Sequence, residues 1–180
     1  MVVIDMEYKI INNIVYMDVN GKTVLLSEVD KDLANMEWRL ETEQTSNGVR
    51  YYVKYAHSKG SIHRVVMRRV LKEKGMELKK EVDHIDRNPL NNKRDNLRES
   101  TKTQNNCNKG KIKMINGKKT SSQCIGVTYD KKAGKWRSRL KHDGIVENLG
   151  YHNSEESAAM AYDNAAKKYH GEFASLNFPR

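Results

Sequence analysis

The sequence has no apolar run approaching the roughly 18–20 residues that a membrane-spanning helix requires. Asp5, Glu7 and Lys9 interrupt the first ten residues, so no secretory signal core is expected there. Only two cysteines occur, Cys107 and Cys124, too few for a disulfide framework or a four-cysteine zinc site. These absences exclude a helical membrane protein, a disulfide-stapled secreted domain and a cysteine-rich zinc finger. They leave an intracellular protein with no membrane partner. The 180 residues are 37% hydrophobic and 31% charged, enough apolar material for small cores in one domain or two or three modules.

What is abundant is positive charge. The chain carries 33 Lys+Arg against 23 Asp+Glu, a net of +10. Residues 1–60 are net −2, so residues 61–180 hold +12. An excess confined to two-thirds of the chain points to a polyanionic partner, most often nucleic acid. A merely solubilising surface is the plainer alternative.

The N-terminal third reads as small β structure. Ile14–Val19 and Lys22–Leu26 flank Asn20-Gly21, the strongest short hairpin signal. Ser27 reads as the N-cap of a short helix ending near Met36, with Glu28 and Asp30 in its first turn. A second hairpin is expected around Ser46-Asn47-Gly48, between Trp38–Leu40 and Arg50–Tyr55. Its tyrosines could stack on bases, although partly buried strand aromatics are commoner.

From Ser61 the period becomes helical. Ile62, Val66 and Val70, with Met67 and Leu71, share one face, and Gly75 is a natural stop. Arg64, Arg68, Arg69 and Lys72 fall opposite, as a DNA-gripping or simply solvated face. Residues 81–98 then read as two short strands around a loop rich in Asn, Asp and Pro, which are turn formers. Ser100 or Thr101 can cap a helix carrying Thr103-Gln104-Asn105-Asn106. The product is a strand–loop–strand–helix unit with a histidine ending its first strand.

His63-Arg64, Asp83-His84-Ile85-Asp86, Asn91-Asn92, Asn96-Leu97 and Asn105 fall in the register H-R…D-H-x-D…N-N-x-x-x-N-L…N. Over about residues 61–108 this resembles the HNH endonuclease family, closest to its phage and homing-endonuclease branch, with a ββα-metal fold. The resemblance implies hydrolysis of a DNA phosphodiester, leaving 5′ phosphate and 3′ hydroxyl. His84 would be the general base. Asp83 and Asn105 would hold a divalent cation, Mg²⁺ with Mn²⁺ as the alternative. Asn96 would hold the loop and thereby the His84 ring. The third motif letter here is Asn105 rather than His, which implies oxygen-rich ligation and disfavours tight Zn²⁺ binding. Read without the family, Asp83 and His84 are a structural pair at a strand end and the asparagines are turn formers. His63 reads equally as a site residue or a packed helix histidine, and Asp86 as a site residue or a loop former.

Residues 109–120 are lysine-rich and read as a flexible basic linker. Beyond it the period is two. In Lys135–Lys141 every odd residue is basic, while Trp136, Ser138 and Leu140 alternate with them. Ile125–Tyr129, this strand and Ile145–Gly150, turned by Asp143-Gly144, predict three antiparallel strands. A helix follows, capped by Ser154 and stopped by Gly171, with Ala158, Ala161, Tyr162, Ala165, Ala166 and Tyr169 as its apolar stripe. Ile125-Gly126-Val127, Gly134-Lys135-Trp136, Leu149-Gly150-Tyr151, Ser157–Asp163 and Leu176-Asn177-Phe178-Pro179 make residues 121–179 similar to the AP2/ERF DNA-binding domain. That resemblance places Thr128, Asp130, Arg139, Lys141, Val146 and Asn148 at base-reading positions, Arg139 foremost through its guanine-matching fork. Lys135 and Arg137 would touch phosphate. Thr128, Asp130, Val146 and Asn148 depart from the Arg/Trp-rich plant pattern, so plant target preference does not transfer.

The expected architecture is α+β: a β-rich region at 1–60, an HNH ββα-metal unit at 61–108, the linker at 109–120, and an AP2-like three-stranded sheet on one helix at 121–180. The expected function is a metal-dependent HNH endonuclease of the homing type acting on double-stranded DNA, within a bacterial or phage-infected cell. A monomer is expected, since no dimer helix is visible. The competing classes are a sequence-specific DNA-binding regulator with an inert HNH fold and, with less support, an RNA-directed protein.

Overall fold

A computed structural model describes residues 8–45, 47–58, 60–115 and 118–179. Ser46 of the expected second hairpin and residues 116–117 of the expected linker lie outside them. The architecture is α+β, as the patterning requires, and its contacts divide it into two compact units, Met1–Lys102 and Thr103–Arg180.

The first unit opens with a three-stranded antiparallel sheet, β1 (Tyr8–Ile11), β2 (Ile14–Val19) and β3 (Lys22–Ser27). Asn20 and Gly21 turn β2 into β3 at φ 53° and 77°, the backbone twist that a two-residue hairpin demands. Strand β1 is an addition to the sequence reading. It joins β2 through Asn12 and Asn13, both at positive φ, which asparagine tolerates better than other side-chain-bearing residues. Strict alternation turns Val15, Met17 and Val19 of β2, with Val24 and Leu26 of β3, inward.

Residues Glu28–Asn35 form a 3₁₀ segment broken at Asp30, not the capped helix expected there. The reason is tertiary. The Ser27 hydroxyl is engaged elsewhere, accepting the Arg94 amide at 2.9 Å, and caps nothing. Strands β4 (Trp38–Thr45) and β5 (Gly48–Tyr55) form a separate hairpin whose base contributes Trp38 and Val53 to the core.

Helix α1 (Ile62–Glu73) buries Ile62, Val66, Met67 and Leu71 against these strands, and Gly75 at φ 69° follows its end. The antiparallel pair β6 (Glu81–His84) and β7 (Leu97–Ser100) adds Val82 and Leu97 to the same cluster. The N-terminal β region and the strand–loop–strand segment therefore share one apolar core. Full burial of each large side chain here, such as Met17, Leu33 or Ile62, is worth about 1.5–3 kcal/mol.

Beneath the loop between β6 and β7 lies a fully buried carboxylate, Asp30. Arg94 from the loop grips it with two hydrogen bonds, Nε to Oδ2 at 2.7 Å and Nη2 to Oδ1 at 2.9 Å. Arg94 Nη1 reaches Glu73 of α1 at 2.6 Å, and Arg69 of α1 donates to Asp32 twice at 2.7 Å and to Asp30 at 3.4 Å. Main-chain bonds add to this clamp. Leu25 N donates to Leu90 O, and Asn92 N donates to Leu25 O, both at 2.8 Å. The loop is thus sewn along β3.

The second unit opens one residue into the short helix α2 (Lys102–Cys107). The stretch expected as unstructured linker carries a short antiparallel pair, β8 (Met114–Ile115) and β9 (Lys118–Lys119). Its lysine-dominated composition hides so brief a pairing. Strands β10 (Val127–Asp130), β11 (Lys135–His142) and β12 (Ile145–His152) then form the three-stranded antiparallel sheet. Asp143 and Gly144, at φ 46° and 80°, make its second hairpin. Between Arg137 and Arg139 the register shifts, Ser138 of β11 facing Leu149 and Gly150 of β12, with Gly150 at φ 98°.

Helix α3 (Glu155–His170) packs across this sheet. Ser154 caps it by accepting the Ser157 amide at 3.1 Å, and Gly171 at φ 55° ends it. Its buried stripe is Ala158, Ala159, Tyr162, Ala165 and Ala166. Ala161 is half-buried, and Tyr169 is exposed with its ring stacked on His142 at 3.9 Å. The stripe faces the sheet about one position around from the expected i, i+3, i+4 set. The C-terminal segment is pinned by buried Asp163, which accepts the amides of Asn177 and Phe178, both at 2.9 Å.

Two outcomes follow for stability. Asp30→Asn weakens a charge-assisted clamp whose arginines stay partly solvated, and should cost about 2–3 kcal/mol in urea unfolding of the full chain. Gly126 has φ 72°, and a Cβ there would lie 2.1 Å from the Tyr162 ring. Gly126→Ala should therefore cost about 1–3 kcal/mol or more in the second unit, read by the near-ultraviolet signal of Trp136 and Tyr162.

Candidate active site and nucleic-acid interface

The last two residues of β6 carry the first candidate side chains. Asp83 is 5% exposed and His84 9%. Asp83 Oδ2 accepts from Arg98 on the facing strand, Nε at 3.0 Å and Nη2 at 2.9 Å. His84 Nε2 lies 3.1 Å from Oδ1 of Asn92, which is fully buried. On its other side the His84 ring meets the His63 ring edge-to-face, centroids 5.1 Å apart. His63, entering from the first turn of α1, also touches the Ser61 hydroxyl at 3.2 Å. The structure therefore brings His63 to the site, against the candidate base.

Burial holds both imidazoles toward the neutral form. It pushes His84 below its ordinary value, against opposing pulls from the Asn92 bond and the Asp86 and Asp83 charges. Burial first, then the His84 and Arg64 charges, press His63 down to about 3. A neutral imidazole is the form that accepts a proton.

The loop itself is organised around Asn96. Its Oδ1 accepts the Asp86 amide at 3.0 Å, and its Nδ2 donates to Asp86 Oδ1 at 2.9 Å and to Asn91 O at 2.8 Å. Its own carbonyl accepts the Ile85 amide at 2.9 Å. Asn96 thus ties both ends of the loop to the residue after His84. Asp86 shapes the turn, accepting also from Asn88 N and Asn91 Nδ2, and Arg87 takes φ 66° within it.

Asn105 sits on α2, within the second compact unit. Asp83 and Asn105 offer only oxygen donors, a carboxylate and a carboxamide carbonyl. No group of three or more His, Cys, Asp or Glu poised for a metal exists among the described residues. That donor chemistry fits a hard cation of the Mg²⁺ or Mn²⁺ type and does not fit structural zinc. The buried Asp83 carboxylate, matched here by the Arg98 guanidinium, is a site that favours positive charge.

Of the three arginines expected to grip DNA from α1, Arg68 is exposed and Arg64 half-exposed, while Arg69 is engaged by Asp32 and Asp30. On the second unit's sheet, Lys135, Arg139 and Lys141 of β11 are exposed and Arg137 is half-buried, while Ser138 and Leu140 are buried. Thr128 pairs with Arg137 and Asn148 with Arg139, so exposed polar side chains flank the cationic row on both sides. A groove of about 300 Å³ runs beside it, lined by Lys111, Thr128, Arg139, Lys141 and Val146. Asp130 serves the turn, accepting from Lys132 N, Ala133 N and the Tyr151 hydroxyl.

Three residues central to this geometry carried no separate assignment in the sequence. Asn92 was visible only as a letter of the family register and a turn former, Arg98 only as a residue following Asn96-Leu97, and Asp30 only as a first-turn acid. Their roles depend on partners 8, 15 and 64 residues away.

Comparison with known proteins bears on the family. The family model described as HNH endonuclease matches residues 62–107. An uncharacterized HNH endonuclease of Acanthamoeba polyphaga mimivirus is 30% identical over 176 residues, covering 95% of this chain and 85% of that protein. Protein 3.8 of Escherichia phage T7 is 32% identical over 93 residues, 52% of this chain and 72% of its own. An AP2-like ethylene-responsive transcription factor of Arabidopsis thaliana is 41% identical over 58 residues, 32% of this chain but only 12% of that factor. No solved structure matches. With the Asp83-His84 pair, the Asn96 tie and the matched α1–α2 span in one register, and a relative alike over nearly its whole length, the chain belongs to the HNH endonuclease family.

Proposed function

We propose that this chain hydrolyses phosphodiester bonds of double-stranded DNA, with a divalent cation, at sites chosen by its second unit. The observation that carries the reading is His84: a buried imidazole with hydrogen-bonded Asn92 on one side, His63 on the other, and Asp83 beside it in the chain.

The steps follow from the residues. His84 takes a proton from a water molecule, whose oxygen then bonds to phosphorus as the bond to the 3′ oxygen breaks, and that oxygen takes a proton from solvent. The products are a 5′ phosphate and a 3′ hydroxyl. Asn96 keeps the loop closed on the strand that holds His84, so the imidazole has one position. Asp83 and Asn105 would hold the cation, which when bound offsets charge on the phosphate and the leaving oxygen. Lys135, Arg137, Arg139 and Lys141 present a row of cations to the duplex, with Thr128 and Asn148 at its flanks. Arg64 and Arg68 add phosphate contacts beside the cut. Homing behaviour belongs to this same proposal, resting on the branch of the family that the sequence resembles.

A second reading is a DNA-binding regulator that does not cut. One observation favours it: the Arg98 fork already satisfies Asp83. The two readings part on supercoiled plasmid with Mg²⁺, Mn²⁺ or EDTA. The nuclease reading expects nicking with cation and none with EDTA, and a loss of about 10²–10⁴ in rate for His84→Ala with binding retained. DNA bound by both proteins and cut by neither, on DNA that includes the protein's own coding region, establishes the regulator.

The two groups of cations should separate by salt and by sequence. Lys135→Ala should weaken binding evenly across sequences and lower the salt slope by about 1. Arg139→Ala should reduce discrimination between sites by about 1–3 kcal/mol, measured by competition binding.

A further inference from the structure

We infer that Arg137 reads a guanine base from the centre of the second unit's sheet, with Tyr151 and Asp130 as the positioning residues that aim it. This deepens the proposal that the second unit selects the DNA, and rests on it. It replaces the phosphate contact that the sequence pattern alone assigns to Arg137.

Register puts the three side chains on one face. Arg137 of β11 pairs with Thr128 of β10 on one side and with Tyr151 of β12 on the other. Asp130 of β10 pairs with Lys135, two residues back along the same face of β11. The Tyr151 hydroxyl donates to Asp130 Oδ2 at 3.1 Å, so one bond joins the two outer strands across the central one, next to Arg137. Asp130 is itself fixed, its Oδ1 accepting the Lys132 and Ala133 amides at 3.0 and 3.2 Å. The tyrosine is thus held down at both ends, by its strand and by a rigid turn.

Arg137 differs from the other cations of its row. Lys135, Arg139 and Lys141 are exposed, whereas Arg137 is half-buried and its Nε is enclosed with no hydrogen-bond partner. Enclosing an unpaired donor is unfavourable in itself. A loose phosphate contact gains nothing from it, whereas a base reader gains direction, because less side-chain freedom is left to lose on binding. The two Nη groups make no hydrogen bond among the described residues, and they are not enclosed. The guanidinium therefore presents its outer fork end-on. A sheet laid in the major groove meets phosphates at its rims and base edges beneath its central strand. Lys135, at the start of β11, suits a rim, and Arg137, with a strand on each side, suits the floor. Guanine offers two adjacent acceptors there, N7 and O6, which match the fork.

The test selects duplexes from a randomised pool with the full chain in EDTA, then measures binding by competition. The recovered sequence should contain a guanine whose preference Arg137→Gln abolishes, by about 10–100-fold, with the salt slope unchanged within about 0.3. Arg139→Ala should leave that guanine preferred. For the wild type, 7-deazaguanine at this position, which lacks the N7 acceptor, should weaken binding about 5–20-fold. Tyr151→Phe, which loses only the bond to Asp130, should reduce discrimination there about 3–10-fold and at no other position. If Arg137→Gln weakens all sequences evenly and lowers the slope by about 1, Arg137 is a phosphate contact and the inference is overturned. Wild-type binding that 7-deazaguanine leaves unchanged at every position overturns it too, whether or not any variant folds. Binding with no preferred sequence overturns the inference and leaves the second unit a grip on DNA. No binding to any duplex overturns the targeting proposal and the inference together.

Discussion

Everything around His84 depends on a carboxylate placed where no solvent reaches it. Asp30 is buried in a kinked 3₁₀ segment, and such a charge is tolerable only if it is fully hydrogen-bonded. Arg94 supplies the bonds from the far side of the β6–β7 loop, and Glu73 and Arg69 extend them to α1. Neither side can move without exposing an unmatched charge to a low-dielectric interior. The clamp thus converts a loop of turn-forming residues into a fixed surface. The β3 main chain completes the attachment at Leu25, and Ser27 completes it at Arg94.

From this constraint the function of the N-terminal sheet becomes plain. It presents nothing chemical of its own, yet its apolar face, its edge strand and Asp30 all bear on the loop that frames His84. Asn96 fastens that loop from within and Asn92 joins it to the imidazole. General-base chemistry gains most when the base has one position, because misplacement by an ångström is costly. The second unit follows a different logic. A three-stranded sheet braced by an alanine-rich helix leaves one face free, and alternation fills that face with cations.

Much of this was legible before any coordinates. Local signals of short range succeeded: Asn20-Gly21 and Asp143-Gly144 as turns, Ser154 and Gly171 as the limits of α3, and the alternation of β11. Each depends on backbone conformations or caps decided within a few residues. The Asp83, His84 and Asn96 register was readable as well, through its resemblance to the HNH pattern. What escaped were long-range partnerships. Ser27 looked like a cap because it precedes two acids, but a partner 67 residues away takes its hydroxyl. Ala159 replaces Ala161 in the buried stripe because the sheet, not the helix, decides which face is covered. Asn92 passed as a turn former because asparagine serves both as a turn residue and as a rigid acceptor, and only its neighbours distinguish them.

The proposed role of His84 as the base for hydrolytic DNA cutting has a direct test. The most direct measurement is to treat nicks made by the full chain on supercoiled plasmid with DNA ligase. Cation-dependent nicks that ligase reseals carry the 3′ hydroxyl and 5′ phosphate that the account predicts. Nicks that ligase cannot seal, or no nicks with Mg²⁺ or Mn²⁺ on DNA that the protein binds, would contradict it.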